Sequence, residues 1–266
     1  MIYAVIAAHN EPLVGEAIQS IKGQTHDTKI VLVDDGSSDE TFNIAMREIF
    51  DSQAILGRIE DNYEIYTNAT GNILIKSLKN LGASAARNKA VSLVLNKASH
   101  ILIQDADDIS LPNKIERLLT GFKPGIAVCY ADYYIENQLS GIKIPEFKVP
   151  YDYRTLQYDC IVHSQALISC AVLREIWAFD QKIWDPQLHG PRTEGFRGSM
   201  EDWGLWKMLS VKYMMWHLPE LLSVVRCTGR NQSNPNKITN EIYQKNMSII
   251  HERVKRYVTA IEKEIK

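Results

Sequence analysis

The sequence predicts an α/β fold: a mostly parallel sheet covered by helices. Three observations carry that expectation. Short, nearly uninterrupted apolar runs at Ile2–Ala8, Ile30–Val33, Ile73–Ile75, Ile101–Ile103 and Ile126–Tyr130 have the length and continuity of strands buried on both faces. Segments with apolar residues at helical spacing separate most of them. Three runs also empty into polar or acidic residues, at His9-Asn10-Glu11, Asp34-Asp35-Gly36 and Asp105-Ala106-Asp107-Asp108, which places a site beyond the strand carboxyl ends.

Taken in order, the first strand is followed by Pro12, suited to a first helical turn, and then by Val14, Ala17, Ile18 and Ile21 at helical spacing. After the second strand, Ser37 and Glu40 form a capping-box pair ahead of Phe42, Ala45, Met46, Ile49 and Phe50. Residues 51–72 hold no sustained period and read as a loop-rich insertion. The third strand leads to an alanine-rich helix over Ala83–Lys97, with Arg87 and Asn88 in its early turns. The fourth strand carries the acidic cluster, and Ser110 and Pro112 open a helix bearing Ile115, Leu118, Leu119 and Phe122. After about residue 135, prolines and aromatic residues become frequent. Leu167–Trp177 reads as strand then helix, 180–200 as a long loop, Met200–Leu209 as a helix, and Tyr213–Leu218 as a strand passing Pro219 toward Arg226. A long amphipathic helix over Ile242–Ile265 closes the chain, either packed on the domain or forming a homodimer seam.

The 266 residues are 45% hydrophobic and 23% charged, enough to bury a core. A net charge of −2 gives no basic footprint, so nucleic acid is disfavoured as a partner. Four cysteines without C-x-x-C spacing suggest packing roles in a reducing compartment. No basic-then-apolar leader opens the chain, and the apolar run Ala166–Leu173 is far below the roughly 20 residues of a membrane span. The expectation is a cytoplasmic protein without a transmembrane segment. Neither a P-loop nor a G-x-G-x-x-G fingerprint occurs, which argues against those nucleotide-binding classes.

The acidic cluster needs a partner. Two like charges about 4 Å apart repel by about 1 kcal/mol in water and about 4 kcal/mol near a protein surface. Asp105 and Asp107 form a D-x-D pair of hard oxygen donors suited to Mn2+ or Mg2+, with phosphate supplying further ligands; the competing reading is a solvated acidic loop.

Ile6-Ala7-Ala8-His9-Asn10-Glu11, Val31 through Asp39 (V-L-V-D-D-G-S-S-D), Leu81-Gly82-Ala83-Ser84-Ala85-Ala86-Arg87-Asn88, Asp105-Ala106-Asp107-Asp108 and Glu201-Asp202 occur in that order. The ordered set resembles the GT-A glycosyltransferases, specifically the large inverting family 2, over residues 1 to about 230. The resemblance implies a Rossmann-like three-layer α/β/α sandwich. It also implies a domain over 1–230, split into a nucleotide-sugar half (1–135) and an acceptor half (136–230), with a helical extension over 231–266.

The implied reaction is metal-dependent transfer of a hexosyl or N-acetylhexosaminyl group from a nucleotide-diphosphate sugar to a hydroxyl of a saccharide or lipid-linked saccharide. The resemblance puts Ala8, Asn10, Glu11, Asp35, Arg87, Asp105 and Ala106 at the donor, and Asp107 and Asp105 at the metal. Asp202 falls at the general base, the alternative being a helix cap. Asp35 could accept from a uracil imide, which favours UDP, or serve only as a turn residue. Arg87 reaches base or phosphate, or is a solvated helix arginine. Glu201, Trp203 and Arg226 are candidate acceptor or phosphate contacts, as Arg230 is for pyrophosphate, against core packing for Trp203 and surface placement for the arginines. The competing functions are a sugar-nucleotide nucleotidyltransferase, which would want a glycine-rich basic loop after the first strand, and a catalytically silent nucleotide-sugar-binding domain.

Overall fold

The computed structural model of the chain describes residues 1–50, 55–188, 200–227 and 240–264. The elements run β1 (Ile2–Ala8), α1 (Val14–Lys22), β2 (Thr28–Asp34), α2 (Thr41–Phe50), β3 (Ile55–Glu60), β4 (Tyr63–Thr67), β5 (Ile73–Ser77) and α3 (Ala83–Val94). They continue with β6 (His100–Asp105), β7 (Ile109–Ser110), α4 (Lys114–Leu119), β8 (Ile126–Asn137), β9 (Lys143–Glu146), α5 (Tyr153–Tyr158), β10 (Leu167–Ser169) and α6 (Cys170–Asp180). A 3₁₀ turn at Pro186–Leu188 precedes α7 (Glu201–Leu209), β11 (Met214–Cys227) and α8 (Asn240–Glu264).

One sheet has the order β3-β4-β5-β2-β1-β6-β10-β8-β11-β7, with β9 paired to β8. Its heart, β5-β2-β1-β6, is parallel throughout. Alternation along these strands sorts side chains into two cores. Ile2, Ala4, Ile6, Ile30, Leu32, Leu74 and Leu102 pack with Val14, Ile18 and Ile21 of α1 and Ala45 and Ile49 of α2. Tyr3, Val5, Val31, Val33, Ile101 and Ile103 pack with α3, α6, α7 and α8. Period-two strands between period-3.6 helices give the expected α/β/α sandwich. Register makes the site: Ala8 pairs with Asp34, and Ala7 with Asp105, so three parallel strands end side by side.

Several expectations change. Residues 55–67 are not loop but an antiparallel hairpin that extends the sheet, turning at Asp61 (φ 38°). In β4 only Ile65 is buried, while Ile55 and Ile59 of the outer strand are exposed, so no periodic apolar face marked it. The Ser37–Glu40 capping box is replaced: the Ser37 hydroxyl accepts from the Asn10 N–H at 2.9 Å, and Asp39 accepts from the Thr41 N–H at 3.0 Å. The expected fifth strand runs on to Asn137, and β11 crosses Pro219 as one strand with register shifts beyond Leu218. The α4 helix begins at Lys114 because Ile109–Ser110 are taken by pairing with β11. All four cysteines are free thiols; Cys129 and Cys170 are buried, whereas exposure of Cys227 rules out a packing role there. No helix among the described residues is long and apolar enough to cross a membrane.

Candidate active site

The first wall of the site is the turn after β2. The Asp35 carboxylate accepts from the N–H groups of Leu81 (2.9 Å) and Gly82 (2.7 Å), and Asn80 donates to the Asp35 carbonyl at 3.0 Å. These bonds draw the start of α3 against the end of β2. Gly36 allows it: φ is +69°, and a Cβ there would lie 2.8 Å from the Asn80 nitrogen and the Lys79 carbonyl carbon. Each carboxylate oxygen has two lone pairs, so Asp35 keeps acceptor capacity beyond these two bonds. Ala8 is buried, with its carbonyl accepting from the Asp35 N–H at 2.8 Å. Asn10 sits in the left-handed region (φ 48°) and accepts from the Ser38 N–H at 2.9 Å. Glu11 receives the Leu13 N–H at 3.1 Å near the opening of α1.

At the end of β6, Asp105, Asp107 and Asp108 part company. Asp108 is buried and structural: it accepts from the Arg226 N–H at 2.8 Å and from the Gln165 side-chain amide. Asp105 is the more open, at 28% side-chain exposure, accepting from Arg87 at 2.9 Å and from Ser164 Oγ at 3.2 Å. Burial, then the charges of Asp105 and Glu11, push the Asp107 carboxyl up to about 7. Ala106, between them, is buried. Arg226 is buried too; its Nε donates to the Asp107 carbonyl and its Nη1 to Glu16 at 2.7 Å, so it braces the loop from beneath.

Arg87 joins this wall to the opposite one. Projecting from α3, it donates to Asp105 and, at 2.9 Å, to Glu201, and lies 3.6 Å from Asp202. Burial works against its charge, but Asp202, Asp105 and Glu201 outweigh it and hold the guanidinium above its usual value. Both acids begin α7, yet neither caps it, since Met200 is the N-cap residue. Glu201 is only 6% exposed at its side chain and is tied to Arg87, whereas Asp202 is 18% exposed. Burial drives the Asp202 carboxyl up to about 7; Arg87 opposes that, Glu201 and Asp105 add to it, and the Trp184 hydrogen bond eases it. A partly reachable carboxylate near neutrality is suited to taking a proton at physiological pH.

Trp203, by contrast, is buried, with its indole N–H on the Leu156 carbonyl at 2.7 Å. It belongs to the packing of α5 and α7. Arg230 and residues 189–199 of the expected loop lie outside the described residues. Two contributors carried no role from the sequence, Ser164, on Asp105, and Trp184, whose indole N–H donates to Asp202 Oδ1 at 2.8 Å, while Asn88, named beside Arg87, was given none of its own. Only the Arg-Asn step of α3 carried a signal for any of them, because the others arrive from loops without a motif.

The donor set fits a divalent cation. Asp105 and Asp107 offer hard oxygens among mutually repelling acids. Among the described residues no group of three or more His, Cys, Asp or Glu forms a site that could hold a metal on protein ligands alone.

Comparison with known proteins follows the same lines. The model of a family described as glycosyl transferase family 2 matches residues 3–177. An uncharacterized glycosyltransferase of Methanocaldococcus jannaschii is 26% identical over 195 residues, covering 69% of this chain and 60% of the relative. Among solved structures, Staphylococcus aureus TarS aligns at TM-score 0.61 and 15% identity, over 94% of this chain but 38% of its own. A Pyrobaculum calidifontis mannosyltransferase, solved with GDP-Man and Mn2+, aligns at 0.56 and 14%, over 97% and 74%. A Mycobacterium tuberculosis glucosyl-3-phosphoglycerate synthase, solved with Mn2+, UDP and glucosyl-3-phosphoglycerate, aligns at 0.51 and 13%, over 96% and 80%. At such identities the structural likeness speaks to the fold alone, which is the GT-A fold. This chain therefore spans about three-fifths of the curated relative and under half of TarS.

Proposed function

The chain belongs to glycosyl transferase family 2, and on that premise we propose that it moves a sugar from a nucleotide-diphosphate sugar to an acceptor hydroxyl with inversion, using Asp202 as general base. The observation that carries this is the Arg87 hub. Residues from α3, β6 and α7 converge on one guanidinium, setting Asp105 and the Glu201–Asp202 pair around it. That separates two tasks, leaving-group stabilisation and proton removal, onto two walls.

On the acceptor wall, Arg87 neutralises Glu201 and leaves Asp202 as the carboxylate able to take the hydroxyl proton as attack proceeds at an oxocarbenium-like carbon. On the donor wall, Asp105 and Asp107 would hold Mn2+ or Mg2+, which when bound supplies Lewis acidity toward the departing diphosphate. The Mn2+ in two structural neighbours supports that reading. Arg226 donates from Nε to the Asp107 carbonyl and so holds the loop that carries the acids. The rim from Ala8 through Glu11, with Ala106, lines the nucleotide side. Asp35 offers its remaining acceptor capacity to a base imide, so UDP is the proposed nucleotide and a saccharide or lipid-linked saccharide the proposed acceptor.

A panel of nucleotide sugars tests the reading. Metal-dependent binding or slow hydrolysis of one UDP-sugar is expected, abolished by a chelator and weakened at least tenfold by Asp107→Asn. A response to a GDP-sugar instead would move the nucleotide assignment alone, and silence across the panel at millimolar metal would reject the enzyme.

A further inference from the structure

Between α6 and the 3₁₀ turn, the chain passes the site as irregular backbone, and two side chains from different helices hold it. Asn88 of α3 accepts from the N–H groups of Ile183 (2.8 Å) and Trp184 (3.0 Å) and donates to the Trp184 carbonyl at 2.7 Å. Arg253 of α8 donates to the carbonyls of Lys182 (2.7 Å) and Ile183 (2.9 Å), and to the Asp180 carboxylate at 2.8 Å. Between them they satisfy five backbone groups of three consecutive residues. Ile183, Trp184 and Arg253 are all buried, which shields these bonds in part from competition with water.

What this strap delivers is the Trp184 indole. Its N–H reaches Asp202 Oδ1, and its ring lies under the Arg87 guanidinium, 5.9 Å from the ring centre. Asp202 Oδ1 is thus held between the Trp184 indole at 2.8 Å and the Arg87 guanidinium at 3.6 Å, which fixes the plane in which the carboxylate is presented.

Resting on the reading of Asp202 as the base, we infer that Trp184 is its positioning residue, and that α8 reaches the site by holding Trp184 through Arg253. A carboxylate held at one oxygen by a buried indole N–H has its rotation restricted, and misplacement of about 1 Å can cost on the order of a hundredfold in rate. The match to the family model stops at residue 177, before the strap, the base and α8.

The test uses the full chain, steady-state kinetics across pH, and donor binding. Trp184→Phe keeps the ring and removes the donor. It should lower kcat by tenfold or more with donor affinity within twofold of the parent. It should also move the acid limb of the kcat profile up by about one pH unit, because a bond favouring the carboxylate is gone. The other charged or titratable groups facing Asp202 are Arg87, Glu201, Asp105 and Cys160, and all are retained in this variant. Arg253→Ala should reproduce the kcat loss, and Arg253→Lys should recover part of it. Unchanged kcat and pH profile in Trp184→Phe would overturn the inference, as would loss of donor binding in step with kcat, the mark of a merely structural residue. Asp202→Asn is the control: if that variant still turns over, the base assignment itself fails, whereas an inactive Asp202→Asn beside a fully active Trp184→Phe removes only the role of Trp184.

Discussion

Arg87 faces three carboxylates from two other elements while almost fully buried. Removing it leaves like charges in a poorly solvated place, so Arg87→Met should cost about 3–5 kcal/mol of stability in urea titration, and a loss under about 1 kcal/mol would contradict the hub. As the proposed base, Asp202 with its raised carboxyl should set the pH response. A base must be deprotonated to act, so kcat should climb about tenfold per unit up to pH near 7 and level off above it, and a rate that falls as pH rises through 7 would point to a group working as acid. The sequence marked Arg87 and Asp202 as site residues but not as partners. Glu201 lies 114 positions from Arg87, and their pairing follows from topology that no local period encodes.

At the scale of elements, most of the parallel sheet was legible, because strands buried on both faces and helices with one apolar stripe write their periods directly into the chain. The β3–β4 hairpin was not, since a sheet margin with so little burial has no pattern to show. The turn after β2 was half legible. Asp35-Gly36 signalled a turn, but the packing of Lys79 and Asn80 on Gly36 did not appear until the fold brought them together. Gly36→Ala should therefore destabilise by about 1–3 kcal/mol and weaken nucleotide binding, as φ and space both oppose a side chain; unaltered stability would show that the turn relaxes freely. The contact of α7 with α8 gives another check. Ile250 is buried against Gly204, and Ile250→Ala should cost about 2–5 kcal/mol by thermal or chemical unfolding if α8 is part of the core, or almost nothing if it is an appendage.

Over the whole molecule, the three-layer sandwich gathers at one edge what the chain scatters between Asp35 and Asp202: the turn after β2, the acids at the end of β6, Arg87 of α3 and the head of α7. Parallel pairing of β1, β2 and β6 levels three carboxyl ends, and β10 and β8 carry the sheet toward the half that supplies the opposite wall. The proposed division of labour between donor wall and acceptor wall separates binding from turnover. Asp202→Asn, assayed on one preparation for sugar transfer and for metal-dependent nucleotide binding, tests it most directly. Transfer should fall by about 10²–10⁴-fold with nucleotide binding within twofold of the parent; transfer and binding lost together, or transfer retained, would contradict the two-wall site.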